Sequence, residues 1–134
     1  GLVDAAQRVA FWQGDACNLK ETHRDYDLVV AANLIDRLYD PRKFLDDIAG
    51  RIVSGGVLVI TSPYTWLTEH TPRGQWLGGF KRDGERYTTL DALQEILARD
   101  FVPIGQPQDV PFIIRETARK FQHTLAQVTC WERR

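Results

Sequence analysis

Three stretches of this 134-residue chain carry side chains whose types and spacing suit chemistry. In "GDACNL" (14–19), Gly14 allows a sharp turn and Asp15 sets a carboxylate beside free backbone N–H groups. A carboxylate accepts from an exocyclic amine and an adjacent N–H donates to a ring nitrogen, so Asp15 and Ala16 together could read the edge of an adenine. The same residues also suit a plain turn in which Asp15 caps its own backbone. In "AANLIDRL" (31–38), Ala31 and Ala32 are small enough to admit a ligand, and Asn33 offers both a donor and an acceptor. Asn33 serves equally as a turn residue, with Asp36 and Arg37 a solvated pair of little energetic weight.

The third stretch, "TSPYTWLTEHTPRGQWLGG" (61–79), is the richest. It sets a hydroxyl (Tyr64), an imidazole (His70) and a cation (Arg73) among Trp66 and Trp76, and ends in Gly78-Gly79. Apolar walls with few polar groups are what small-ligand sites use, and paired glycines suit the hinge of a lid. The competing expectation is a small satellite core beneath a loop. Further on, "RETARKFQH" (115–123) at helical spacing would put Arg115, Arg119 and Lys120 on one basic face. Such a face is either a solvated charge run or a carboxylate-binding fork.

The elements that must position these groups alternate. Val9–Gln13 and Tyr26–Ala32 read as strands. Asp40 caps a helix that Pro41 opens, with Phe44, Leu45, Ile48 and Ile52 on one apolar face. "SGG" ends that helix and leads into a strand at Val57–Ile60. A second helix begins at Thr88 or Thr89 and buries Leu90, Leu93, Ile96 and Leu97, with Asp91, Glu95 and Arg99 opposite. Phe101–Ile104 and Thr124–Trp131 close the chain as strands. The order predicts an α/β fold with a parallel core and an antiparallel finish. In an open α/β sheet ligands bind beyond the carboxyl ends of the strands, which gathers the three stretches at one edge.

Composition narrows the function classes. With 43% hydrophobic and 26% charged residues the chain reads as an ordinary globular protein of at most one domain, neither disordered nor fibrous. A net charge of −1 leaves no electrostatic footprint for nucleic acid or an anionic membrane; the partner expected, from the aromatic loop, is a small-molecule substrate. No apolar run has the length of a membrane span and no signal-peptide pattern is present. Two cysteines and three scattered histidines offer neither a disulfide scaffold nor a metal motif, in keeping with a cytoplasmic protein whose thiols are reduced.

Taken together, "GDACNL", "YDLVVAANLIDRL", "VSGGVLVITSPY" and the closing strand pair resemble the second half of a class I S-adenosylmethionine-dependent methyltransferase. More narrowly, "TSPYTWLTEHTPRGQWLGG" and "PFIIRETARKFQHTLAQVTCW" resemble the C-terminal domain of ovothiol synthases, a mercaptohistidine ring-nitrogen methyltransferase. The likeness runs from about residue 9 to the end. It implies S-adenosylmethionine as cofactor, Asp15 on the adenine amine and the Ala16 backbone on the adenine ring. It implies Ala32 and Asn33 where the sulfonium methyl meets substrate. Tyr64, Trp66, His70, Trp76 and Arg115 would form the substrate side.

The sequence departs from that pattern at its start. The Gly-rich turn for the methionine part of the cofactor and the acidic strand end for the ribose are not in it; Gly55-Gly56 precede a strand instead of following one. Residues 1–134 therefore read as a single, partial methyltransferase domain whose Rossmann-like sheet lacks its first two strands. An open sheet edge left by those strands invites a homodimer or a rearranged sheet. Two other classes stay open: a Rossmann-type nucleotide-binding enzyme, and a non-catalytic methyltransferase-like interaction module.

Overall fold

The computed structural model describes residues 1–134. A short helix α1 (Leu2–Ala6) is followed by β1 (Tyr26–Ala32), α2 (Pro41–Ile48), β2 (Ile52–Ser62), the small strands β3 (Phe80–Arg82) and β4 (Glu85–Tyr87), α3 (Thr89–Leu97), β5 (Phe101–Arg115) and β6 (Phe121–Arg133). The main sheet has the order β1-β2-β6-β5; β1 and β2 run parallel, and β6 is antiparallel to both its neighbours. The parallel pair with an antiparallel finish is the arrangement expected from the alternation of elements.

Both long helices begin where the sequence signals them. The Asp40 carboxylate accepts the Lys43 N–H at 3.1 Å, and Pro41 costs nothing at a position whose N–H has no helical partner. At α3, Thr88 and Asp91 bond reciprocally to each other's backbone N–H (3.1 and 2.8 Å). Phe44, Leu45 and Ile48 of α2 and Leu93 and Leu97 of α3 bury their apolar stripes against Ala31, Leu58, Ile60 and Trp131 of the sheet, with Phe101 closing the layer.

Several expectations are corrected. Val9–Gln13 forms no strand and joins no sheet; Val9, Phe11 and Trp12 are exposed. A strand exists only through its ladder, and in the doubly wound order 3-2-1-4-5-6 the third strand lies outermost, away from the fourth. Ile52 opens β2 rather than closing α2, and "SGG" lies inside the strand. There Gly55 has φ +81°, and a Cβ on Gly56 would come within 2.6 Å of Ile52 and 3.0 Å of the Asp27 carbonyl. These glycines absorb the register shift at which Tyr26 faces Ile52 and Leu28 already faces Val57.

The closing strands are far longer than their apolar cores suggest. β2 leaves β6 at Ser62 opposite Gln127, while β5 and β6 stay paired to Arg115 opposite Phe121. The hairpin thus runs about 20 Å past the end of β2 at about 3.4 Å per residue. Residues 116–120 are its turn, so the basic helical face expected of Arg115, Arg119 and Lys120 does not exist.

Candidate functional site

Arg51 organises the first chemical stretch. Its guanidinium is buried and donates to the carbonyls of Leu19 (3.2 Å), Lys20 (2.6 Å) and His23 (3.1 Å), while Nε bonds Asp47 of α2 at 2.9 Å. A buried cation is tolerable only when its donors are met in this way. The loop from Gly14 to Asp25 is thereby strapped to α2, and buried Cys17 adds a bond from Sγ to the Asp40 carbonyl at 3.3 Å.

In this loop Asp15 Oδ1 accepts the Cys17 N–H at 2.9 Å, which closes an Asx turn, and Oδ2 accepts the Tyr39 hydroxyl at 2.8 Å. A carboxylate has about four lone-pair sites, so the two oxygens keep room for an amine. The half-buried Ala16 has an N–H with no acceptor within the chain. Both residues line a pocket of about 410 Å³ walled by Ala31, Leu34, Phe44 and Ile48. It is also lined by Trp12, which meets His23 edge to face at 5.3 Å, and by Tyr26, whose hydroxyl is 3.1 Å from His23 Nδ1.

The ends of the parallel strands are tied to each other. Asn33 stands at φ +49°; its N–H reaches the Thr61 carbonyl (2.9 Å) and Oγ1 (3.1 Å), and its Oδ1 accepts the Thr61 hydroxyl at 3.1 Å. Asn33 is thus a turn residue, yet its Nδ2 has no partner in the chain. Exposed Ala32 sits beside it, paired with Thr61.

Tyr64 also has a left-handed backbone, φ +55°, held by a bond from its N–H to Ser62 Oγ (3.0 Å) and from its hydroxyl to Gln127 of β6 (2.8 Å). Burial raises the pKa of that phenol well above the ordinary range, and the Asp109 carboxylate raises it further. The next residue is gripped from both sides: Asp36 Oδ2 accepts the Thr65 N–H at 2.9 Å, and Arg37 donates to the Thr65 carbonyl at 2.9 Å. Asp36 is only 1% exposed and its Oδ1 has no partner, so Asp36 and Arg37 are no solvated pair but a clamp on the aromatic loop.

The loop's tryptophans are spent on packing. Trp66 is 8% exposed, lies in the core and donates to Thr89 Oγ1 at 2.9 Å, which leaves almost no surface for a substrate. Trp76 donates to the Thr71 carbonyl at 2.9 Å and carries the Arg73 guanidinium 5.2 Å over its ring. His70 is exposed, 3.6 Å from Glu69. Arg115 sits at the hairpin turn and bonds the Thr117 carbonyl at 3.1 Å, remote from the pocket. Gly78 is no hinge: a Cβ there would lie 2.2 Å from the Thr89 nitrogen, so it marks where the loop touches the start of α3.

The structure therefore groups Asp15 and Ala16 at the pocket and Ala32, Asn33 and Tyr64 at the strand ends. It disperses Trp66, His70, Trp76 and Arg115. Tyr39, Thr61 and Gln127, absent from the expected set, supply the bonds that hold three of its members. The sequence signal for Tyr39 was its place just before the Asp40-Pro41 helix start, at the same sheet edge as Asp15.

Comparison with known proteins places this geometry in a fold. No protein-family model matches the chain, and no curated protein matches it significantly. Among solved structures, a protein from work on the conversion of a disulfide bond into a thioacetal group in echinomycin biosynthesis aligns with a TM-score of 0.62 at 17% identity, over 98% of this chain and 59% of its own. The N-methyltransferase NodS from Bradyrhizobium japonicum, solved with S-adenosyl-L-homocysteine, aligns at 0.52 and 16% identity over 98% of this chain and 61% of its own. A S-adenosylmethionine-dependent methyltransferase from Methanosarcina mazei aligns at 0.57 and 19%, over 98% and 75%.

The fold is that of the S-adenosylmethionine-dependent methyltransferases. This chain spans about three fifths of the length of the first two of these structures. On a methyltransferase sheet, as on other open α/β sheets, the ligand crevice lies beyond the carboxyl ends of the strands. The Asn33–Thr61 junction stands there, while the pocket of Asp15 and Ala16 runs along β1 from Tyr26 to Ala31.

Proposed function

We propose that this chain is the part of an S-adenosylmethionine-dependent methyltransferase that holds the adenine end of the cofactor and faces the substrate. The observation that carries this is the Asp15-Ala16 turn, where a carboxylate with spare acceptor capacity and an unpartnered N–H open on an apolar pocket. Those groups fit the amine and ring nitrogen of an adenine. The sequence has no Gly-rich turn after a strand to fit the methionine end, so no residue is assigned to it. When bound, S-adenosylmethionine supplies an electrophilic methyl on a sulfonium. The chain's own part is to orient the nucleophile near Asn33 Nδ2 and Tyr64 and to keep water out.

For the acceptor we infer the imidazole of a thiol-substituted histidine, as in ovothiol biosynthesis. The support is the likeness of the 61–79 and 111–131 stretches to the ovothiol synthase domain. A neutral imidazole nitrogen is already nucleophilic, which agrees with a strand-end region that presents no obvious general base. Two unpaired cysteines fit a cytoplasmic setting, and no helix is long and apolar enough to cross a membrane.

The test is calorimetric titration of the chain and its Asp15→Ala variant with S-adenosylhomocysteine. Binding weakened by about 1–3 kcal/mol in the variant supports the adenine assignment. Equal binding returns Asp15 to the role of a turn residue. No binding by either favours the non-catalytic interaction module, for which the engaged Asp15 oxygens already speak.

A further inference from the structure

Ser62, Gln127 and Asp109 stand in one row across β2, β6 and β5. Residues paired across strands share a face, and this row follows that of Ile60 and Thr129 on the side of the core. It is the last row that β2 enters, so it stands at the carboxyl end of a parallel strand, where open α/β sheets bind their ligands.

Tyr64 is tied along this row. Its N–H goes to Ser62 Oγ (3.0 Å), its hydroxyl goes to Gln127 Oε1 (2.8 Å), and the Asp109 carboxylate is near enough to raise its pKa. The cost is a left-handed backbone at a bulky residue, φ +55°, and strain of that kind gathers at ligand sites. With its oxygen taken by the phenol, the Gln127 amide has a nitrogen without a partner in the chain. Asp109 is exposed and forms no ion pair.

A carboxylate on an edge strand is ordinarily a solvated charge. Here it lies directly opposite a bare amide donor, which holds the two Cβ atoms about 4.5–5.5 Å apart. Just before it, Gly105, Gln106 and Pro107 bulge against Thr129 alone, a device that re-aims side chains beside ligand sites. The next rows of the same face turn apolar. Pro111 and Leu125, then Ile113 and His123, follow on the projecting hairpin, with Leu125 54% and Ile113 67% exposed.

We propose that Asp109 and Gln127 are specificity residues for the acceptor and bind the two charged groups of a free α-amino acid. The Asp109 carboxylate accepts from the ammonium, and the Gln127 amide nitrogen donates to the carboxylate. The side chain of the amino acid lies against Leu125 and Ile113. On the methyltransferase reading, on which this rests, the acceptor is therefore a free amino acid. A thiol-substituted histidine is one such molecule, whereas the same residue inside a peptide offers neither charged group.

The experiment titrates the chain with three imidazoles at neutral pH and follows the backbone amide shifts of β5 and β6. L-histidine carries both charged groups, histamine only the ammonium and imidazolepropionate only the carboxylate. In Asp109→Asn, L-histidine and histamine should each bind about tenfold more weakly or worse, with imidazolepropionate unchanged. Gln127→Glu keeps an acceptor for the Tyr64 phenol and should weaken L-histidine and imidazolepropionate but not histamine. No binding of L-histidine to the wild-type chain overturns the proposal. So does an Asp109→Asn variant that binds all three as before, or that loses all three equally. Titration of the same samples with S-adenosylhomocysteine separates the two readings. An amino acid held through Asp109 by a chain that binds no cofactor upholds the site and sinks the methyltransferase reading. Cofactor binding without Asp109-dependent binding of L-histidine sinks the site alone.

Discussion

Tyr39 and Asp15, 24 residues apart, are joined by a hydrogen bond of 2.8 Å from the phenol to the carboxylate. That bond is the main cause of a Tyr39 pKa raised from 10.0 to about 12. It also fixes how the Asp15-Ala16 turn stands.

The first prediction concerns its titration. A phenol whose folded pKa lies above its unfolded value favours the folded state fully below pH 10.0, and loses that contribution as pH rises toward about 12. Spectrophotometric titration of tyrosinate should therefore show a late component that shrinks by one tyrosine in Tyr39→Phe, the part due to buried Tyr64 remaining. If the variant's curve superimposes on the wild type's, the bond does not persist in solution.

The two adjacent glycines should behave unequally. At Gly79, φ +85°, a Cβ would meet only Trp66 Cδ1, at an ordinary contact distance of 4.0 Å, so Gly79→Ala costs little beyond the left-handed backbone penalty of about 1–2 kcal/mol. Gly78→Ala drives a methyl into the Thr88–Thr89 backbone and should cost about 3 kcal/mol or more. Urea denaturation of both variants measures the difference, and the reverse ranking would return Gly78 to the role of a hinge.

Asp36 grips the Thr65 N–H with one oxygen and leaves the other bare. Asp36→Asn keeps the useful oxygen and removes a buried charge, whereas Asp36→Ala strands the Thr65 N–H. We expect Ala to destabilise by about 1–3 kcal/mol and Asn by less. An Asn variant worse than Ala in equilibrium unfolding would mean that the carboxylate charge itself is needed beside Arg37.

Arg51 answers three carbonyls and one carboxylate. Its removal in Arg51→Ala should cost about 3–5 kcal/mol and unprotect the loop from Gly14 to Asp25 in hydrogen exchange before the sheet opens. Arg51→Lys should rescue little, because a point ammonium cannot reproduce the planar fork. Full rescue by lysine would show that charge alone secures the loop.

Local chemistry was legible in the residues, and partnership was not. Asp40 before Pro41, and Thr88 three residues before Asp91, announce helix starts through bonds made within one turn. Tyr26–Ala32 declares itself a strand by its apolar run, and its bounds agree with β1. Val9–Gln13 has similar composition, but a strand needs a neighbour and none is present. The glycines at 55 and 56 carry the signature of a helix stop because a bulge against Asp27 demands the same freedom. In the aromatic loop, residue types alone could not say where the indole N–H groups point. Thr89 and Thr71 take those of Trp66 and Trp76, which turns an apparent pocket wall into packing.

The order β1-β2-β6-β5 has one further consequence. β6 is the last of these strands to leave the ribosome, yet it is the one that joins β5 to the rest. Until it emerges, β5 has no ladder to enter and β2 shows a raw edge to any passing chain. A nascent protein of this order is thus most open to misassembly in the interval after β5 has emerged and before β6 follows it.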